Sequence, residues 1–159
     1  SIVSRGMTGG HTMFPPTEDR SNETKSRLLQ QITTALGGRA SEEMVFDDIS
    51  TGAASDLEVA TSIAREMVTE YGMSALGPIN IKSRTMFGMW PSGDEGGASQ
   101  TMQTSIDKEV RKIIDTCYKD AQKILKAEKP KLDKVAKALL EKETLDTDEF
   151  EKLVGKKKS

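Results

Sequence analysis

Ser99–Lys126 reads SQTMQTSIDKEVRKIIDTCYKDAQKILK, and the spacing of its apolar residues decides the fold class. Ile106, Val110, Ile113, Cys117, Ala121 and Ile124 recur every three or four residues, so they share one side of an α-helix. Pro130 opens the next helix, because a first helical turn leaves its amides unpaired and tolerates proline. Leu132, Val135, Ala136, Leu139 and Leu140 form its apolar face. A last short helix carries Phe150 and Leu153, with Asp146 or Thr147 as its cap.

The same period appears upstream. From Asn22 or Glu23 onward, Leu28, Leu29, Ile32, Ala35 and Leu36 lie on one helical face. Gly37 and Gly38 would each cost about 1 kcal/mol against alanine inside a helix. Ala40, Met44 and Val45 nevertheless continue the stripe, so either the helix runs through the glycines for close packing, the favoured reading, or it breaks into two. Residues 47–55, DDISTGAAS, read as a polar loop with several candidate N-caps. A further helix carries Leu57, Ala60, Ala64, Met67, Val68 and Tyr71, and Gly72 stops it. Residues 1–14, SIVSRGMTGGHTMF, alternate loosely around a Gly pair and read as strand, turn and strand, ended by Pro15 and Pro16. The expected architecture is therefore mainly α: a helical, bundle-like unit with a small β element at the N-terminus. Residues 1–82 form its core with two long helices, 83–98 a flexible loop with four glycines, and 99–159 a C-terminal helical segment.

Composition narrows the function classes. Hydrophobic residues make up 35% and charged residues 30% of the 159 positions, which suits a folded domain rather than a disordered chain. No apolar run approaches the ~18 residues of a membrane-spanning helix, and no signal peptide opens the chain. The expectation is a soluble segment without membrane contact. Cys117 stands alone, so no internal disulfide forms; it reads as core filling. The net charge of -2 divides into -5 over residues 1–98 and +3 over 99–159, too little in either part to argue for nucleic acid. Lys156, Lys157 and Lys158 read as a solvated tail. The first residue is Ser1 rather than Met, which suggests a piece of a longer protein.

Three stretches in order carry a family resemblance: Leu36–Glu43 (LGGRASEE), Ser50–Thr61 (STGAASDLEVAT) and Glu70–Pro78 (EYGMSALGP). With Val3–Met13 (VSRGMTGGHTM), they resemble the peptidase domain of the FtsH-type AAA+ proteases. Ile106–Glu109 (IDKE), Ala121–Leu125 and Glu141–Phe150 (EKETLDTDEF) look similar to that family's terminal helices. The resemblance covers nearly the whole chain. It implies an ATP-dependent zinc metalloendopeptidase that degrades unfolded or membrane proteins, built as a membrane-anchored homo-hexamer. It also implies that the peptidase domain faces the cytoplasm or an organelle interior.

One part of the family pattern is missing from these residues. The family carries an HExxH helix shortly before the segment that resembles this one, supplying two zinc-binding histidines and the glutamate general base. Here the only histidine is His11, followed by Thr12, Met13 and Phe14, and no GxxxxGK[ST] phosphate loop occurs. A catalytic zinc needs three protein ligands and an open position for water, with a carboxylate beside it to take the proton. This sequence is therefore expected to lack peptidase activity and a tight metal on its own. Zinc, and ATP in a separate ATPase module, would belong to the parent.

By that resemblance, Asp56 is the third zinc ligand. Its position in a helix's first turn also fits, since the helix dipole favours a carboxylate charge there; capping is the plainer use of such a residue. Glu42 and Glu43 stand where carboxylates could approach the same metal, but Arg39, four residues before Glu43, offers a surface ion pair worth a few tenths of a kcal/mol. Gly9, Gly10, His11, Thr12 and Met13 are a candidate sheet edge pairing with substrate backbone, the glycines permitting close approach; an ordinary hairpin turn is the alternative. An isolated His11 is more often a surface residue than a ligand. Met44 and Met67 fall on core stripes, whereas Met86 and Met89, near Phe87 and Trp90, could form an exposed apolar loop that guides substrate or meets a neighbouring subunit. Two other classes compete with the protease reading. One is a non-catalytic, peptidase-like helical scaffold for oligomerisation or adaptor binding, separated from the enzyme by whether HExxH precedes Ser1. The other, a hydrolase with a different catalytic set, finds no convincing nucleophile and base here, Ser–Lys pairs excepted.

Overall fold

The computed structural model describes residues 1–3, 10, 12, 22–81 and 100–155. Among them the chain is mainly helical, as the periodicity requires: α1 (Lys25–Ala35), α2 (Gly37–Phe46), a 3-10 turn (Thr51–Ala53), α3 (Ala54–Thr69), α4 (Gln100–Ala127), α5 (Lys129–Lys142) and α6 (Thr147–Val154). No strand occurs among the described residues. The expected β element falls on residues 1–14, most of which lie outside them. The loop at 83–98, with Met86, Phe87, Met89 and Trp90, lies outside them too.

The chain divides into two compact units, one over residues 22–124 and one joining 1–21 to 125–159. In the first, Leu28, Ile32 and Leu36 of the α1 stripe meet Ala60, Ala64, Met67 and Val68 of α3 and Ile106, Val110 and Cys117 of α4. Ile32, Ala60, Ala64 and Met67 are fully buried. Each large apolar side chain buried in this way contributes about 1.5–3 kcal/mol. The alanines of α3 let α1 come close, because ridges of small residues leave room for the larger side chains opposite. Cys117 fills the core, its Sγ 3.6 Å from the Leu29 carbonyl oxygen.

The helix holding the two glycines is interrupted, but one residue earlier than the glycines suggest. Leu36 has φ −74 and ψ −8, a 3-10-like geometry that closes α1 and opens α2. The ladder survives the break, since the Leu36 amide donates to the Ile32 carbonyl and the Ala40 amide to the Leu36 carbonyl. Gly37 and Gly38 are thus helical, and the close packing expected of both is found only at the second. A methyl at Gly37 would meet nothing within 4 Å, whereas one at Gly38 would lie 3.5 Å from Oδ2 of Asp56.

Helix α3 ends where Gly72 predicts. Gly72 has φ +60, and the Met73 amide donates back to the Met67 carbonyl, the long bond of a glycine-closed helix end. The chain then folds over Gly72, the Ala75 amide donates to the Glu109 carboxylate of α4, and Ile81 enters the core. Tyr71 and Ile124, each placed by periodicity on an apolar face, are instead about half exposed, at 49% and 55%.

In the second unit the α6 cap is Asp146, with Glu149 completing a reciprocal capping box. Lys142 pairs with Glu149 across the turn between α5 and α6. The Ile2 amide donates to the Glu143 carbonyl, and the Ser1 and Thr144 hydroxyls lie 3.0 Å apart, so the first residues are tied to this turn.

Candidate metal-ligand site

Asp56 occupies the first turn of α3, and it is not that helix's cap. The N-cap is Ala53, which makes no side-chain capping bond, while the 3-10 turn in front of it is capped by Ser50. The carboxylate is exposed, and among the described residues it makes no hydrogen bond or ion pair. It stands over the bare backbone of Gly38. The positive end of the α3 dipole favours a negative charge there by about 0.3–1 kcal/mol. An anionic, uncommitted oxygen pair on a rigid helix is what a hard or borderline cation takes as one ligand. One carboxylate does not make a site: among the described residues, no three His, Cys, Asp or Glu side chains group closely enough to hold a metal ion.

Glu42 has a different and specific task. Its Oε2 accepts the Ser50 amide at 3.0 Å and its Oε1 accepts the Ser50 hydroxyl at 2.7 Å. The Ser50 backbone bond, then the hydroxyl bond, hold the Glu42 carboxyl below its usual range. A carboxyl lowered in the folded state stabilises above its ordinary value and loses that contribution as the pH falls through the lowered one. The link between α2 and the 3-10 turn should therefore weaken only in distinctly acidic solution.

Glu43 points the other way, to α4. Its Oε2 accepts the Tyr118 hydroxyl and the Gln122 side-chain amide, both at 2.7 Å. Neither partner was legible in the sequence, because they lie more than seventy residues away and carry no periodic signal. Burial, and then the bond to the Glu43 carboxylate, push the Tyr118 phenol up. The proton is thus held more tightly in the folded chain than in the unfolded one, so this contribution is complete below the ordinary tyrosine value and fades as the pH rises through the higher one. Tyr118→Phe should cost about 1 kcal/mol in urea unfolding at neutral pH, with the difference shrinking in alkaline solution. An ultraviolet difference titration between the two proteins should place the lost phenol above the ordinary tyrosine range.

Of the candidate substrate edge, Gly9, His11 and Met13 lie outside the described residues. Gly10 packs on the first residues: a methyl there would come 2.8 Å from the Ser1 carbonyl oxygen. Thr12 is exposed. These two belong to the unit of residues 1–21 and 125–159, and Asp56 to the other.

The profile of peptidase family M41 matches residues 1–153. The ATP-dependent zinc metalloprotease FtsH 1 of Thermoanaerobacter sp. (strain X514) is 47% identical over 156 residues, covering 96% of this chain and 26% of the relative. The ATP-dependent zinc metalloprotease FtsH of Caldicellulosiruptor bescii is 47% identical over 157 residues, 97% of this chain and 26% of the relative. That of Acholeplasma laidlawii is 44% identical over 158 residues, 98% and 24% respectively. The chain spans about a quarter of the length of the curated relatives it matches. A match over nearly every residue means that the chain belongs to peptidase family M41.

Proposed function

We propose that these 159 residues are part of the proteolytic module of an ATP-dependent zinc metalloendopeptidase, supply one zinc ligand through Asp56, and hydrolyse nothing by themselves. The observation that carries the reading is the exposed, uncommitted Asp56 carboxylate, held on the first turn of α3 within STGAASDLEVAT. Relatives over this whole stretch are named zinc metalloproteases, which supports assigning the carboxylate to metal rather than to capping. When bound, zinc supplies Lewis-acid activation of water near neutral pH. Asp56 would fix one of the three protein ligand directions. Two histidines and a carboxylate base remain to be supplied, and His11 is the only histidine in the sequence.

The substrates in this reading are unfolded or membrane polypeptides. Gly9, Gly10, His11, Thr12 and Met13 would form the edge on which substrate backbone lies, with no side chain at the glycines to hold it away. The parent would be a membrane-anchored homo-hexamer with its ATP in a separate module and its peptidase domains facing the cytoplasm or an organelle interior. Among the described residues no helix is long and apolar enough to cross a membrane. No nucleic-acid role is proposed.

The test compares this chain with the intact protease on an unfolded protein substrate, with zinc and ATP present. The intact protein should release peptides and the chain alone should release none above the uncatalysed background. Peptide release by the chain alone, abolished by a chelator, would overturn the claim of inactivity and require a ligand set that Asp56 does not explain.

A further inference from the structure

We propose that Glu42 and Ser50 form a positioning pair that sets the orientation of Asp56, resting on the reading of Asp56 as a metal ligand. The geometry is a short chain of bonds from one helix to the next. Glu42 of α2 accepts both the amide and the hydroxyl of Ser50, at 3.0 and 2.7 Å. The Ser50 hydroxyl in turn accepts the Gly52 amide at 3.1 Å and so caps the 3-10 turn. That turn runs into α3 at Ala54 with no residue between, and α3 has no side-chain cap of its own. The first turn of α3, which carries Asp56, is therefore held from the N-terminal side by what holds Ser50.

Helix α2 also touches the Asp56 turn a second time. Gly38 lies one helical turn before Glu42, and the position of a methyl on it is 3.5 Å from Asp56 Oδ2. Gly52 sits over Glu42 itself, with a methyl position 3.6 Å from Oε1. One face of α2 thus carries a bare seat for the carboxylate and a bidentate anchor for the turn that delivers it. Both Glu42 oxygens are engaged by Ser50, so the role assigned to Glu42 is exerted through Ser50. Groups that orient a ligand in this way tune metal affinity by about 10- to 100-fold.

The experiment uses the intact, zinc-loaded protease with Ser50→Ala, Ser50→Thr, Glu42→Ala, Glu42→Gln and Asp56→Asn. Zinc release into excess chelator, kcat and KM for peptide hydrolysis, and amide exchange over residues 47–57 are measured together. Ser50→Ala and Glu42→Ala should release zinc about tenfold or more faster, lower kcat with little change in KM, and exchange the Gly52 region faster. Ser50→Thr keeps the hydroxyl and should restore retention, and Glu42→Gln, which keeps acceptor oxygen on one side only, should fall between. Unchanged zinc release in Ser50→Ala, or failure of threonine to rescue it, overturns the pair. If alanine at either position unfolds the protein, Ser50→Thr and Glu42→Gln decide alone: parent-like release in the first with faster release in the second supports the pair, and the same rate in both overturns it. Asp56→Asn separates the two claims. If it leaves zinc release unchanged, the ligand reading fails; if it releases zinc while Ser50→Ala does not, only the positioning pair fails.

Discussion

Asp56→Ala in the intact protease should remove peptidase activity while leaving the fold almost untouched. The carboxylate is exposed and makes no hydrogen bond or ion pair among the described residues, so its loss opens no cavity and strands no partner. Exposed substitutions of this kind stay within about 0.5 kcal/mol in stability. The functional loss should exceed the roughly 10- to 100-fold that removing an outer-shell partner costs, because a ligand itself is gone. Zinc content after gel filtration should fall in parallel with kcat, while the melting temperature of the zinc-free protein stays that of the parent. A variant that kept its zinc and most of its activity would return Asp56 to an ordinary surface residue.

Two glycine-to-alanine changes should have opposite signs, the first of them large. At Gly72 a methyl would lie 2.8 Å from Pro78 Cα and 3.0 Å from the Ile79 nitrogen, both backbone atoms, and the φ of +60 strains any L side chain. The left-handed conformation costs about 1–2 kcal/mol. Moving packed backbone costs about 1–3 more. Gly72→Ala should therefore lose about 2–5 kcal/mol, a large part of a typical domain's stability. Gly37→Ala meets nothing within 4 Å in a helical segment and should gain about 0.4–1 kcal/mol by restricting the unfolded chain. Urea unfolding of the two variants beside the parent checks both signs at once. Equal effects would mean that the turn at 72–79 is not built as described.

The helices were legible because their signal is local. The stripes of Leu28, Ile32 and Leu36, of Ala60, Ala64 and Met67, and of Ile106, Val110 and Cys117 repeat at the helical period, and those residues form the core. Asp146 as a cap and Gly72 as a stop were equally local. A break near the glycines was one of two open readings, but its position at Leu36 was not legible, since leucine carries no breaking signal. Side-chain pairings around the candidate site carried less signal. The motif pointed to Asp56, while Glu42 and Glu43 read as carboxylates better explained by a surface ion pair with Arg39. Nothing in the spacing shows that Glu42 reaches forward to Ser50, or that Glu43 reaches Tyr118 on α4. Those pairings depend on how a loop turns and how two distant helices pack, which periodicity does not encode. Tyr71 and Ile124 show the converse limit, for helical spacing places a residue on a face but does not by itself bury it.

The most direct measurement of the central claim is zinc X-ray absorption on the intact protease carrying Asp56→Cys, beside the unsubstituted protein. A cysteine ligand would introduce a zinc–sulfur distance of about 2.3 Å into a shell otherwise made of nitrogen and oxygen near 2.0–2.2 Å. Cys117 is buried in the core, 2% exposed, and offers no competing thiolate from this chain. A new sulfur shell in the variant, absent from the parent, is the result expected if residue 56 binds the metal. A variant that holds zinc with no sulfur in its shell would contradict the assignment, and with it the role given to the whole α2–α3 corner.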